Sequence, residues 1–253
     1  MLISASEWVL GDRPTALRRA SAAGFSAIEL DAVPGADLDE LRDQLAEAKL
    51  SVPSLCWSWN SENELGSPDA SSRAGAQAYL HAALEQAHEL GATQLVVIPA
   101  CRKEPWADEP RIRGLERAAA SIAAILPDAP AGVSLALEGL RREESFLMNT
   151  LDHSALLRSM IADDRVGLLA DWYHLVAEEI DPMASLREHA ENITLVHLAA
   201  TERGPLVASS TYAVELAEEL RAMPAIGSYT LEFMIGESND EQLVESLAFA
   251  ATL

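Results

Sequence analysis

The sequence predicts an α/β protein built as one (β/α)₈ TIM barrel. Short strand-like runs alternate with longer helix-like segments, and the chain offers eight of each. Such alternation is typical of a parallel sheet with helices on its outside. The length of 253 residues is close to the ~250 residues that a closed eight-fold barrel needs. We therefore expect a single domain over residues 1–253, with the active site at the C-terminal ends of the strands.

The strand-like runs are short and rich in apolar residues. Leu95–Ile98 is continuously apolar, as expected of a strand covered on both faces. The predicted strands are Leu2–Trp8, Ala27–Leu30, Val52–Trp57, Gln94–Pro99, Val133–Glu138, Val166–Asp171, Ile193–Leu198 and Tyr229–Phe233.

The helix-like segments carry start and stop signals. Leu38, Leu41 and Leu45 recur at helical spacing. Gly24 and Gly91 each stand where a helix would end before a strand. The predicted helices are 13–23, 36–48, 71–90, 108–126, 153–162, 183–190, 211–222 and 239–250.

The charge balance excludes several classes of partner. Lys and Arg number 18 against 40 Asp and Glu, a net charge of −22. Nucleic-acid binding depends on Lys and Arg that neutralise phosphates, and an anionic membrane surface also attracts basic segments. Cys56 and Cys101 form no disulfide framework, and we see no signal peptide. We therefore expect a cytoplasmic protein without a nucleic-acid or membrane partner.

Four consecutive predicted strands each deliver one metal-ligating side chain near their C-terminal ends. Catalytic residues of such barrels lie at this end, and carboxylates that converge there repel one another unless a cation lies among them. Three carboxylates and one imidazole suit a hard or borderline divalent ion such as Mn²⁺, Mg²⁺ or Co²⁺, and we expect Mn²⁺. Taken singly, each residue could instead cap a strand or pair with an arginine. The four residues are Glu138, Asp171, His197 and Glu232.

Three more polar residues follow these strand ends. His174 and Arg203 are suitable donors to hydroxyl or carbonyl oxygens of a substrate. The less favoured alternatives are a loop salt bridge for Arg203 and a solvent-exposed loop position for His174. Glu144 either points into the pocket or belongs to a pair of surface glutamates. Glu29 near the end of the second strand either joins the pocket or pairs with an arginine.

Tryptophans stand at or just past several predicted strand ends. They could wall a substrate pocket or simply close the top of the core. The residues concerned are Trp8, Trp57, Trp59 and Trp172. Cys101 is interpreted as a buried small side chain and not as a nucleophile, because no activating histidine adjoins it.

This residue set resembles the xylose-isomerase-like sugar isomerase/epimerase superfamily, and most of all its ketose (tagatose/psicose) 3-epimerase branch. The resemblance spans nearly the whole chain and is strongest from 133 to 233. Glu138-Gly-Leu-Arg-Arg142 departs from that family's usual Glu-Pro-Leu-Asn-Arg. The matching motifs are Glu138, Asp171-x-x-His174, His197, Arg203, Glu232, Phe146-Leu-Met-Asn-Thr150 and Gly24-Phe-Ser-Ala-Ile-Glu-Leu30.

The resemblance implies a role for each residue. Glu138, Asp171, His197 and Glu232 would hold one divalent metal, and the two glutamates would double as the acid/base pair. The metal would stabilise an enediolate formed by proton abstraction next to a carbonyl. Return of the proton on the opposite side would invert the centre, whereas return to the adjacent carbon would isomerise the sugar. His174, Arg203 and Glu144 would hold substrate oxygens.

Several alternatives stay open. A hydroxypyruvate-isomerase-like enzyme or a polyol dehydratase would use the same scaffold, and a DNA-repair endonuclease or a non-catalytic binding protein is less favoured. The expected partner is a small sugar or keto-acid, and a homo-oligomer is possible. Four loop cations could suit a carboxylated or phosphorylated substrate, although solvated loop charge is the favoured interpretation. They are Arg102, Lys103, Arg141 and Arg142.

Overall fold

The computed structural model is a closed barrel of eight parallel strands, joined in the order β1 to β8 and back to β1. It describes residues 2–57, 64–106, 109–223, 225–235 and 240–253. The predicted fold class is confirmed. The strands are β1 Leu2–Ser6, β2 Ala27–Asp31, β3 Ser54–Cys56, β4 Gln94–Val97, β5 Ser134–Glu138, β6 Val166–Asp171, β7 Ile193–Leu198 and β8 Ser228–Leu231.

Each predicted helix occurs within a few residues of its expected bounds. Two short helices, α1 and α7, were not predicted, since each has too few residues to show a helical period. The helices are α1 Glu7–Leu10, α2 Arg13–Ala23, α3 Leu38–Ala48, α4 Ala70–Leu90, α5 Arg111–Ile125, α6 Leu151–Ile161, α7 Trp172–Glu178, α8 Pro182–His189, α9 Ala213–Arg221 and α10 Asp240–Ala250. A 3₁₀ turn, Leu126–Asp128, extends α5.

The structure corrects two strand boundaries. Trp8, placed at the end of the first strand by the sequence, lies in α1. Glu232, placed inside the last strand, lies one residue beyond β8. The two helix ends expected at Gly24 and Gly91 do occur. These glycines end α2 and α4 in left-handed conformations with φ of 92° and 74°, which their lack of a Cβ allows.

The polar ends of β5 to β7 stand directly above an apolar layer inside the barrel. Residues two apart on a strand share one face, so Glu138 follows Ala136, Asp171 follows Leu169 and His197 follows Leu195. The register aligns Asp171 with His197, and His197 with Thr230. The strand pairing therefore places Asp171 and His197 side by side, whereas Glu138 pairs with Leu169. The apolar layer comprises Cys56, Val96, Ala136, Leu169 and Leu195.

Two further features concern membrane-spanning helices and disulfides. Among the described residues, no helix has both the length and the apolar character that crossing a bilayer requires. Cys56 and Cys101 are both buried, and neither is in a disulfide.

Gly66, which precedes α4, provides a test of local packing. A Cβ at this position would lie 2.9 Å from the Gly114 carbonyl oxygen and 2.8 Å from the Trp106 ring. We expect Gly66→Ala to lower the free energy of unfolding by about 1–3 kcal/mol, because neither neighbour can retreat easily. Denaturant unfolding measures this loss. The control is Gly204→Ala, whose Cβ would meet nothing within 4 Å, and equal stability of the two variants would contradict the prediction.

Candidate active site

Four ionisable side chains meet at the C-terminal rim of the barrel. One ligand atom from each of them lies within 4.8 Å of the others, and all four residues are buried. Two end β5 and β6, one lies in β7, and one follows β8, so the parallel strands themselves bring them together. The four residues, hereafter the rim cluster, are Glu138, Asp171, His197 and Glu232.

His197 contacts carboxylates with both ring nitrogens. Nδ1 lies 2.7 Å from Glu232 Oε2 and 3.7 Å from Glu138 Oε1. Nε2 points away from the rim cluster, towards Glu29, at 3.2 Å from Oε1. The ring is therefore oriented so that Nδ1 faces the space shared with the two glutamates.

The donor set of the rim cluster fits a divalent cation. Carboxylate oxygens and one imidazole suit a hard or borderline ion, and no thiolate belongs to the cluster. Asp171 Oδ2 is buried without a hydrogen-bond partner among the described residues. It lies 3.5 Å from His174 Nε2 and 3.6 Å from Arg203 Nη2. A buried carboxylate oxygen without a partner is costly, and a cation held between these groups would remove that cost.

Glu29 supports His197 from below. The side chain is fully buried, and its Oε2 accepts hydrogen bonds from Ser54 Oγ at 2.6 Å and Thr230 Oγ1 at 3.3 Å. Neither sequence-based interpretation of Glu29 describes this arrangement, since its partners are two hydroxyls and His197 and not an arginine. A carboxylate behind a histidine is the usual means of fixing the tautomer and orientation of a metal ligand.

The carboxyl groups of the rim cluster differ in proton affinity. Burial raises the pKa of Glu138 well above its usual range and also raises the pKa of Asp171. Burial opposes ionisation of Glu232 as well, but His197 and Arg203 lower its pKa below the usual range. In the protein alone, Glu232 is thus the carboxylate stabilised by nearby positive charge.

A cavity of about 620 Å³ opens above the rim cluster. The structure brings most of the sequence-predicted site residues to its wall: Trp8, Trp57, Glu138, Glu144, His174, Arg203 and Glu232. Residues that the sequence analysis missed also line it, among them Asp31, Tyr173 and Glu202. Tyr173 and Glu202 each adjoin a predicted site residue along the chain, and Asp31 lies two residues after Glu29, so strand alternation could have indicated it.

His174 presents a defined face to the cavity. Its Nδ1 accepts the backbone N–H of Arg141 at 3.2 Å, and burial lowers its pKa. The Arg141 N–H favours the tautomer of the neutral ring with its proton on Nε2. That nitrogen faces Asp171 and Glu144 and also lies 3.3 Å from Arg203 Nη1. An N–H in this position can donate to an oxygen atom of a bound molecule.

Arg203 is held above the rim cluster by charge and by aromatic rings. Nη2 lies 2.9 Å from Glu232 Oε2. The guanidinium stands 5.1 Å from the centre of the Trp8 ring and 4.7 Å from that of Tyr173, a cation–π arrangement. Its Nε is buried without a hydrogen-bond partner in the described part of the chain. Arg203 has a φ of 53°, so a left-handed turn after β7 directs this side chain.

Glu144 lies at the cavity wall, which agrees with the pocket interpretation. Arg141 Nε donates to its Oε1 at 2.6 Å, and the same guanidinium stands 5.1 Å from the centre of the Tyr173 ring. Of the four loop cations, Arg141 lines the cavity. Arg142 pairs with Glu178 at 2.7 Å. Arg102 Nη1 lies 3.8 Å from Glu64 Oε2, so three of the four loop cations lie beside a carboxylate of the protein.

The tryptophans have different roles in the structure. Trp8 donates its Nε1–H to Glu232, and Trp57 lines the cavity with its ring against Tyr79 at 4.6 Å. Trp172 does not line the cavity. It begins α7, where it is fully buried and its ring lies 6.2 Å from that of Tyr212, so the structure corrects its proposed contact with substrate. Trp59 lies outside the described residues.

Comparisons with known proteins find a matching family and several similar epimerases. Residues 17–252 match the model of a family described as xylose isomerase-like TIM barrel. The L-ribulose 3-epimerase of Mesorhizobium japonicum is 27% identical over 89% of this chain and 77% of its own. The ketose 3-epimerase of Arthrobacter globiformis is 24% identical over 81% and 71%. A solved structure of L-ribulose 3-epimerase superposes with a TM-score of 0.82 and 25% identity, over 98% of this chain and 86% of that chain.

The contact between Glu29 and His197 leads to a prediction about metal affinity. We expect Glu29→Gln to weaken Mn²⁺ binding roughly 10- to 100-fold, because the amide no longer fixes the His197 ring by a charged hydrogen bond. Titration calorimetry of the metal-free protein measures the dissociation constant. Glu245→Gln, an exposed change on α10, is the matched control. Unchanged Mn²⁺ affinity in Glu29→Gln would show that Glu29 has only a packing role.

Proposed function

The chain belongs to the xylose isomerase-like TIM barrel family, and from this premise we propose that it is a divalent-metal-dependent sugar epimerase of the ketose 3-epimerase type. The observation that carries the proposal is the pair of buried carboxylates, Glu138 and Glu232, which face the same His197 nitrogen beside a cavity. The two curated relatives are named as 3-epimerases of L-ribulose and of ketoses, which supports the same reaction type.

The proposed substrate is a small ketose bound in the cavity. Aromatic faces from Trp8, Trp57 and Tyr173 alternate there with carboxylates and arginines, a lining suited to a sugar that carries both C–H faces and hydroxyls. The net charge of −22 disfavours a polyanionic partner such as DNA. A cytoplasmic location and a homo-oligomeric state stay expectations from the sequence.

The rim cluster would hold the metal ion through Glu138, Asp171, His197 and Glu232. Manganese is the proposed ion, with magnesium and cobalt as alternatives. When bound, such a cation stabilises negative charge that develops on a substrate carbonyl oxygen. Glu29 then acts through His197, whose Nδ1 it keeps directed towards the cluster.

Glu138 and Glu232 would carry out the proton transfers. A proton on a carbon next to a carbonyl is weakly acidic, so a correctly placed carboxylate is needed to remove it. One glutamate takes this proton, and the other returns a proton to the opposite face of the same carbon. That sequence inverts the carbon and yields the epimer.

Neighbouring polar groups would position the sugar. His174 offers the N–H of its neutral ring, and Arg203 lines the cavity with its guanidinium. Glu144, held by Arg141, offers carboxylate oxygens to a hydroxyl. Return of the proton to the adjacent carbon would give an isomerase, and loss of a hydroxyl would give a dehydratase. The product therefore decides between reactions that share this site.

The reaction type can be tested with the wild-type protein. We expect it to interconvert at least one ketose with its C3 epimer in the presence of Mn²⁺, among D-tagatose, D-psicose, D-fructose and L-ribulose. Turnover should cease when a chelator is added and return with excess Mn²⁺. Chromatography identifies the product, and reaction in D₂O should place one deuterium at C3. An aldose as the main product would contradict epimerisation and favour the isomerase.

Variants of the acid/base pair test the assignment of roles. We expect Glu138→Gln and Glu232→Gln each to lower kcat by roughly 10²- to 10⁴-fold, because the amide can neither accept nor return the proton. Loss of a metal ligand could lower activity by itself, so both variants should be assayed at saturating Mn²⁺ with occupancy measured by calorimetry. Glu245→Gln serves again as the control. Near wild-type turnover in either metal-loaded variant would refute its proton-transfer role.

A further inference from the structure

Asp31, the last residue of β2, lines the cavity but does not belong to the rim cluster. Its side chain is half-buried. Within the described residues, no side chain donates a hydrogen bond to its carboxylate, since the bonds recorded for Asp31 involve its backbone. A half-buried carboxylate at a cavity wall, without a partner from the protein, is available to a bound molecule.

An ion pair fixes the backbone of Asp31 from both sides. The Asp31 N–H donates to Glu7 Oε2 at 2.8 Å, and Arg13 Nη2 donates to the Asp31 carbonyl oxygen at 3.1 Å. Glu7 and Arg13 are themselves joined by two hydrogen bonds of 2.8 and 3.0 Å. These two charges pair with each other and fix the Asp31 backbone, and neither forms an ion pair with the Asp31 carboxylate within the described residues.

Strand alternation sets the height of Asp31 in the barrel. Glu29 and Asp31 are two residues apart on β2, so they share the inner face, separated by roughly 6.6 Å along the strand. Glu29 contacts His197 from below. Asp31 is therefore one layer nearer the mouth, at the level where the cavity opens.

The position of β2 in the barrel sets the direction of Asp31 from the rim cluster. The cluster comes from β5 to β8, whereas β1 to β4 form the other half of the closed barrel. The β2 to β4 side contributes Cys56, Trp57 and Ile98 to the cavity wall together with Asp31. Asp31 is thus the charged group of the described cavity lining on that side. A substrate whose reacting carbons lie between Glu138 and Glu232 would extend its remaining carbons towards it.

From this geometry we propose that Asp31 is a specificity-determining residue, which accepts a hydrogen bond from the terminal hydroxyl at the non-reacting end of a ketohexose. The inference rests on the proposed function. Burial, followed by the nearby charges of Glu7 and Glu29, raises the pKa of Asp31 to about 6, while Arg13 opposes this shift. The carboxylate therefore remains available as an acceptor at pH 7 and above, and its charge disfavours a phosphate at this end of the sugar.

The test compares variants of Asp31 on a matched set of sugars. The probes are D-tagatose, 6-deoxy-D-tagatose and 1-deoxy-D-tagatose, in the presence of Mn²⁺. We expect Asp31→Ala to lower kcat/KM for D-tagatose roughly 10- to 100-fold, mainly through KM, because a hydrogen bond to a charged group is lost. For the 6-deoxy sugar the loss should stay below about 3-fold. Asp31→Asn, which keeps one acceptor oxygen, should fall between Asp31→Ala and the wild type.

Controls separate this proposal from a folding defect and from failure of the proposed reaction. Asp31→Ala should keep wild-type Mn²⁺ affinity and thermal stability, and Asp43→Ala, an exposed change on α3, should match the wild type throughout. Calorimetry of the same sugars gives the binding comparison even without turnover. Ketose binding that depends on Asp31 but yields no epimer would overturn the reaction and keep the specificity role.

Two results would overturn the role of Asp31. One is an equal loss on D-tagatose and its 6-deoxy analogue, or no loss on either sugar. The other is a loss that disappears only with the 1-deoxy sugar, which would mean that Asp31 meets the end next to the carbonyl.

Discussion

The structure depends on the burial of several carboxylates against one another at the rim of the barrel. Three carboxyl groups and His197 are brought within 4.8 Å, and charges of like sign at this distance disfavour a common ionised state. The protein offsets the repulsion in part through Arg203 and His197. The remaining repulsion between the buried carboxylates disfavours folding unless a cation binds among them. This repulsion is the reason to regard the rim as a cation site.

The two halves of the barrel contribute different parts of the site. The strands β5 to β8 supply the rim cluster, and the turn after β7 directs Arg203 over it. The strands β1 to β4 supply a support below and a wall above, through Glu29 and Asp31 respectively. One strand can serve both levels because its inward residues recur every second position. The chemistry and its supports are therefore separated by strand number and by height along the strand.

The fold and the rim cluster were predictable from sequence because both follow from periodicity. Eight strand and helix units imply closure, and closure brings the strand ends to one rim. Trp172 shows where this reasoning fails, since a residue after a strand can begin a helix and be buried away from the cavity. The pairing of Glu29 with His197 joins strands far apart in sequence. Spacing along the chain carries no information about which inward side chains meet across the barrel.

A second layer of polar groups supports the rim cluster from inside the barrel. His197 is fully buried, and a carboxylate lies against each ring nitrogen. Ser54 and Thr230 donate to Glu29 from below, and Ser4 lies 3.0 Å from Thr230. A buried polar network is tolerated when its members have partners. Most members have a partner here, but two carboxylate oxygens have no hydrogen-bond partner in the described structure, Glu29 Oε1 and Asp171 Oδ2. Glu29 Oε1 still lies 3.2 Å from His197 Nε2. Asp171 Oδ2 belongs to the rim cluster, where a cation would remove the cost of burying it.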